Sequence, residues 1–222
     1  MLTTSTQFAF EDTNKWETLL QQNNVRAPFL TQAYAQTWWE TLGNGEVAIV
    51  TVDDDGELVG LAPCFINPDE KELNFIGCVD VSDYLDMLVT AERGEEYQRQ
   101  VYRALWTELQ KLDWQTAHFC SIPENSPTIA FFKNQKNLDL TIEQQDVCPV
   151  ITLPETWDEY LANLKRKQRH EIKRKWRKLE RETQHEFKCL TNPEEVATHT
   201  DLFIELHQKS SQDKKRFWDQ HH

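Results

Sequence analysis

The chain has 222 residues, 39% of them apolar and eight of them Trp, so it can bury a real core and is not a disordered polymer. A formal net charge of −13 argues against nucleic-acid binding by the surface as a whole. The sequence holds no apolar run of the ~18 residues that spanning a bilayer requires, and its first residues show neither the basic start nor the apolar stretch of a signal peptide.

In chain order, residues 14–22 and 31–42 read as helices. In the second, Tyr34, Trp38 and Leu42 recur at spacing four and Gly43 supplies a stop. Val47–Val52 is a strand, the Asp53-Asp54-Asp55-Gly56 turn reverses the chain, and Leu58–Phe65 returns. Leu73–Ile76 and Tyr84–Val89 are further strand candidates. A helix is predicted from Glu95 to Leu112, with Tyr97, Val101, Ala104, Leu105 and Leu112 on one face. Thr116–Cys120 reads as a buried strand, Pro127–Lys136 as a short helix, and Leu140–Glu143 and Val150–Leu153 as closing strands.

The pattern changes at Pro154. Thr156 and Glu159 form a capping box, in which hydroxyl and carboxylate each satisfy an orphan amide. A long helix is predicted to about Glu186, with Leu161, Leu164, Ile172, Trp176 and Leu179 inward. Phe187–Leu190 is then a strand candidate and Asn192-Pro193-Glu194 a helix start. A domain boundary falls near residue 154, dividing the chain into 1–153 and 154–222.

Residues 165–181 concentrate ten of the 24 Lys and Arg against two acids, Glu171 and Glu180. The window carries +8 in a chain of −13, so the remainder carries −21. A local positive field on an acidic protein calls for a negative counterpart: a phosphate-bearing ligand, an RNA, or the protein's own acidic half. The plainer alternative is a solvated helix face.

The five Cys at 64, 78, 120, 148 and 189 include no C-x-x-C pair and are odd in number. They argue for reduced thiols in a cytoplasmic protein rather than a disulfide framework or zinc site. Cys64, Cys78 and Cys120 read as small core residues, the Trp residues mostly as core, and His118 as a core histidine. His199 and His207 share a helix face without a third ligand, so no metal is expected. His221 and His222 are either natural or a tag remnant. Asp83-Tyr84 sets a carboxylate beside a phenol at a strand start, suited to receive an amine or hydroxyl nucleophile; the alternative is a turn Asp with a packing Tyr.

An ordered set of short motifs spans the chain: Pro28-Phe29-Leu30-Thr31-Gln32 before Trp38-Trp39, Glu57-Leu58-Val59-Gly60-Leu61-Ala62-Pro63, Ser82-Asp83-Tyr84-Leu85-Asp86, and Leu153-Pro154 with Trp157, Tyr160-Leu161, Leu164, Arg169, Ile172 and Arg177. This set resembles the CelD-like acetyltransferases, a branch of the GNAT superfamily close to the Fem peptidyltransferases. The resemblance implies an α/β fold with a mixed, mostly antiparallel sheet flanked by helices. It implies a degenerate first GNAT-like domain, and a second that the basic helix opens and that the chain leaves incomplete. Acyl transfer from acetyl-CoA or another acyl-CoA to an amine or hydroxyl of a sugar, peptide or small molecule would be the activity. Arg169, with Lys165 and Arg166 beside it, would hold a substrate phosphate, the planar guanidinium taking two oxygens at once. Asp83 and Tyr84 would contact the acceptor.

None of the six Gly forms the R/Q-x-x-G-x-G/A loop of a GNAT pyrophosphate site, and Ala91-Glu92-Arg93-Gly94-Glu95-Glu96 puts carboxylates there instead. The chain alone is therefore expected to bind acetyl-CoA weakly or not at all, and to be inactive by itself. The alternative class is a non-catalytic module whose basic helix grips RNA or an anionic surface. Self-association is expected if Leu202, Phe203, Leu206, Phe217 and Trp218 lack partners.

Overall fold

The computed structural model describes residues 1–7, 9–10, 13–78 and 81–221. His222 lies outside the described residues. The chain divides into two compact units, Met1–Val147 and Cys148–His222.

The first unit is a mixed α/β structure around a six-stranded sheet, as the sequence predicts. Its strands are β1 (Leu2–Gln7), β2 (Glu46–Asp54), β3 (Glu57–Asn67), β4 (Glu72–Phe75), β5 (Leu88–Val89) and β6 (Thr116–His118), in the order β1-β2-β3-β4-β6 with β5 paired to β3. Every pairing is antiparallel except that of β4 with β6. The β2–β3 hairpin turns through Asp55 and Gly56, both at positive φ. Its register shifts between Val52 and Asp53, where Val59 is the additional residue.

Helices cover both faces of the sheet, which explains why β2 and β3 read as nearly continuous apolar runs. Helix α1 (Thr13–Gln22) and helix α2 (Gln32–Leu42) pack Trp16, Leu19 and Trp38 against Val47, Ile49, Leu61 and Phe65. Helix α3 (Glu95–Leu109) and helix α4 (Pro127–Lys133) pack Val101, Leu105, Trp106 and Phe131 against Val50, Val52, Ala62 and Cys64. Alternate residues of one strand thus feed two cores. Gly60 lies where α3 comes closest, and a Cβ there would stand 2.4 Å from Val101 Cγ1.

The second unit holds α5 (Trp157–Asn163), α6 (Arg166–Glu182), α7 (Pro193–Ser210) and α8 (Gln212–His221). Thr156 and Glu159 make the expected capping box at α5. No helix among the described residues is long and apolar enough to cross a membrane.

Several expectations are corrected. The polar Leu2–Gln7 segment, which shows no apolar periodicity, is an edge strand made by pairing with β2. Tyr84–Val89 is strand only at Leu88–Val89. Strand β6 is exposed along its whole length, His118 included, because it sits at the sheet's other edge. Residues 140–143, 150–153 and 187–190 form no strands, and Val150, Ile151 and Phe187 are exposed. The predicted single long helix is two helices, interrupted where Leu164 turns extended. Cys78 and Cys120 are bonded to each other rather than free thiols. They lie 42 residues apart in sequence, with Cα atoms 5.7 Å apart. Cys78 follows β4 and Cys120 follows β6, and the pairing of those strands brings the two sulfurs together.

Candidate functional site

The candidate residues fall in two regions, one in each unit. In the second, the break at Leu164 places Lys165 at the N-cap of α6, with Arg166 as its first residue. Lys165 makes no side-chain cap, and the first turn of α6 holds no acid. Cations at a helix N-terminus oppose the macrodipole, at roughly 0.3–1 kcal/mol each. Further along, part of the positive charge is paired on the helix itself. Arg174 and Lys175 pair with Glu171 at 2.7 and 3.8 Å, and Lys178 and Arg181 pair with Glu182 at 3.6 and 2.7 Å. The Arg174 guanidinium holds the Glu171 carboxyl below its usual range. Among the described residues Lys165, Arg166, Lys167 and Arg169 at the start of α6 have no such ion pair, and neither do Lys173 and Arg177 further along.

Arg169 is only half-exposed, and its Nη1 donates to the Ala162 carbonyl oxygen at 3.1 Å. That carbonyl belongs to the last turn of α5, so Arg169 clasps the two helices across their break. The structure therefore brings Lys165, Arg166 and Arg169 onto one turn, with Arg169 already partly committed to its own backbone.

The predicted inward face of this helix is only partly inward. Leu161 is buried, Leu164 and Ile172 are half-buried, and Leu179 is exposed. Trp157 and Trp176 are 59% and 56% exposed, against the core positions expected of them. With Leu161, Ile172, Lys173 and Arg177 they line an apolar groove of about 420 Å³. On α7, Leu202, Phe203 and Leu206 are exposed, as is Phe217 on α8.

In the first unit Asp83 and Tyr84 stand on an outward turn rather than at a strand start. Tyr84 has a φ of 56°, and both side chains are exposed. The turn is held from either side: Tyr34 Oη bonds Ser82 Oγ at 2.7 Å, and Asp86 is anchored inside.

Asp86 closes the Ser82–Asp86 motif of the sequence, which gave it no role of its own. It is 1% exposed and accepts hydrogen bonds from Ser126 Oγ at 2.6 Å, from Thr128 Oγ1, and from the Met87 amide at 2.9 Å. Burial nevertheless pushes its carboxyl up to about 6. Ser126 caps α4 by accepting from the Thr128 amide at 3.0 Å, and Thr128 Oγ1 reaches Tyr102 Oη at 3.3 Å. The Ser126-Pro127 pair announces a helix start in the sequence. Nothing local announces that a carboxylate 40 residues earlier holds it.

This network floors a cleft of about 730 Å³ between α3 and α4, with Tyr102, Ser126 and Phe131 in its wall. At its rim, α3 begins after Gly94, which has a φ of 80°, with Glu95 and Glu96 in the first turn. Arg93 is drawn away by Asp54 at 2.8 Å and by Glu57. A pyrophosphate at this helix start would meet Glu95 and Glu96, with Arg93 and Arg99 already paired, so the first turn does not suit the phosphates of an acyl-CoA.

Residues 166–222 match the family model of the acetyltransferase (GNAT) domain. The match covers α6, α7 and α8. No curated protein matches the chain. Among solved structures, a ribosomal-protein-alanine N-acetyltransferase from Brucella melitensis biovar Abortus is 13% identical over 68% of this chain and 99% of that one, with a TM-score of 0.39. An aminoglycoside acetyltransferase from an uncultured soil metagenomic sample, solved with sisomicin, is 13% identical over 69% and 97%, with a TM-score of 0.40. A putative acetyltransferase from Agrobacterium tumefaciens is 18% identical over 63% and 99%, with a TM-score of 0.34.

Proposed function

We propose that this protein is a GNAT-type acyltransferase, moving an acyl group from an acyl-CoA to an amine or hydroxyl of a sugar, peptide or small molecule. The match of residues 166–222 to the acetyltransferase domain carries this reading. In such a transfer the acceptor nitrogen or oxygen attacks the thioester carbonyl and loses its proton. The carbon–sulfur bond breaks, and the coenzyme leaves as its thiol. Alignment of the two substrates supplies much of the rate, and a base or water takes the proton.

Lys165, Arg166 and Arg169 are the proposed contacts for a substrate phosphate, because they share the acid-free first turn of α6 without ion pairs among the described residues, and a bound anion would relieve the unfavourable helix start. Asp83 and Tyr84 are the proposed acceptor contacts, both open to solvent on their turn. The carboxylates opening α3 support the expectation that donor affinity is weak. Self-association through the exposed apolar face of α7 accompanies this reading, and sedimentation at increasing concentration tests it.

The test of function is coenzyme A thiol release from millimolar acetyl-CoA with a panel of amino sugars, polyamines and peptides. Turnover with at least one acceptor supports the reading, and would overturn the expectation from sequence that these residues are inactive by themselves. A Lys165→Ala/Arg166→Ala double variant should raise KM for the phosphate-bearing substrate about tenfold with little change in kcat. No release above the uncatalysed rate with any acceptor, together with tight RNA binding that collapses with salt, would replace this reading with that of a binding module.

A further inference from the structure

We propose that the cleft between α3 and α4 is a binding site for a neutral carbohydrate. It lies wholly in the first unit and is independent of the acyl-transfer reading. At about 730 Å³ it falls within the range of roughly 300–1,000 Å³ of ligand sites.

The chemistry of the wall selects the ligand class. Five carboxamides line it: Asn24, Gln98, Asn125, Asn134 and Gln135. Each carries both a donor and an acceptor, the combination that a pair of neighbouring sugar hydroxyls requires. Asn134 Nδ2 and Gln135 Nε2 donate to the carbonyls of Ala130 and Phe131 at 2.8 and 3.3 Å, which turns their oxygens into fixed acceptors. Gln98, Asn24 and Asn125 spend neither end of their amides on other described residues. Pro127, Ala130 and Phe131 add an apolar strip against which the C–H face of a sugar ring can rest.

Charge excludes the other classes. An anion would meet Glu95 and Glu96 at the start of α3. A cation would meet Arg99 and Arg103. Arg99 is itself neutralised by Glu95 at 3.6 Å and Glu96 at 2.7 Å, which leaves Arg103 as the lining cation without an ion pair among the described residues, and the salt arms of the test below separate an anion drawn to it from a neutral ligand. A hydrophobic ligand would strand the carboxamides. The floor is rigid: Ser126 and Tyr102 are locked through Thr128 and Asp86, so the wall is preorganised and a ligand need not order it.

The experiment is saturation-transfer NMR and calorimetry on the 222-residue protein with maltotetraose, cellotetraose and chitotetraose, at low and high salt. Binding of at least one tetrasaccharide is expected, with an affinity that changes less than twofold with salt. Gln98→Ala and Asn125→Ala should each weaken it about tenfold, and Ala130→Trp, which fills the cleft, should abolish it, all three keeping the parent circular dichroism. Arg166→Ala should leave it unchanged, which separates this site from the basic helix. No saturation transfer to any of the three, binding indifferent to Gln98→Ala and Ala130→Trp, or binding of an extended tetra-alanine peptide in place of the saccharides would overturn the proposal.

Discussion

Asp86 Oδ2 and Ser126 Oγ stand 2.6 Å apart at a buried junction, the hydroxyl donating to the carboxylate while it caps α4. One side chain thereby ties the segment entering β5 to the start of a helix 40 residues later.

This junction sets a pH dependence. Burial raises the folded-state value of Asp86 from 3.8 to about 6. The folded protein therefore binds more protons than the unfolded chain across that interval. The contribution to stability is complete below the unfolded value and is lost as pH rises through about 6. A shift of this size corresponds to roughly 3 kcal/mol. Asp54, Glu96, Glu108, Glu171 and Glu205 are lowered instead, so their contributions fail as pH falls. These groups are common to the parent and an Asp86→Asn variant, and cancel in the difference. Urea unfolding should show the parent losing stability relative to Asp86→Asn between about pH 4 and 7. Parallel pH curves for the two proteins would contradict this.

Gly60→Ala should destabilise the first unit. The new methyl would stand 2.4 Å from Val101 Cγ1, and Val101 is fully buried in the middle of α3. Overpacking of this kind costs about 1–3 kcal/mol. The urea midpoint should fall with an unchanged slope, and hydrogen exchange should quicken in α3 before α1.

Cysteine labelling should sort the thiols by burial. Cys148 and Cys189 are exposed, Cys64 is fully buried, and burial pushes the Cys64 thiol up so that little reactive thiolate forms. Peptide mapping after iodoacetamide should find Cys148 and Cys189 modified first and Cys64 only on denaturation. The Cys78 and Cys120 peptides should remain linked until a reductant is added. Alkylation of Cys78 in the native, unreduced protein would contradict the pairing.

Trp16→Ala and Trp176→Ala should differ widely. Trp16 is 2% exposed and its Nε1 donates to the Leu30 carbonyl at 2.8 Å, so truncation leaves a cavity and a stranded acceptor. The cost should be about 3–5 kcal/mol. Trp176 is 56% exposed and bonds Glu180 at 2.9 Å on its own helix. Its loss should cost less than about 1.5 kcal/mol, by the area still in water. Chemical unfolding followed by far-UV circular dichroism measures both, and equal costs would refute the burial difference.

By itself the sequence determined the elements whose signals are local. The helix at residues 31–42, the Thr156–Glu159 capping box, the Asp55-Gly56 turn and the apolar runs of β2 and β3 depend only on neighbours along the chain, and the structure keeps them, although Leu42 of the expected apolar spacing is exposed. The concentration of charge at residues 165–181 was equally legible, because it is a matter of composition. Tertiary structure decided what depends on distant partners. The polar Leu2–Gln7 segment becomes a strand only because β2 offers it an edge. Asp86 differs from the neighbouring Asp83 only in being enclosed, and Ser126 and Thr128 enclose it from 40 and 42 residues away. Cys78 and Cys120 meet because β4 and β6 pair. Arg169 turns inward to Ala162 only because the chain breaks at Leu164. Helical and strand periodicity fix which way a residue faces along its own element. Burial, pairing and the pKa of a carboxyl are set by what folds against that face, and this information is not local to the chain.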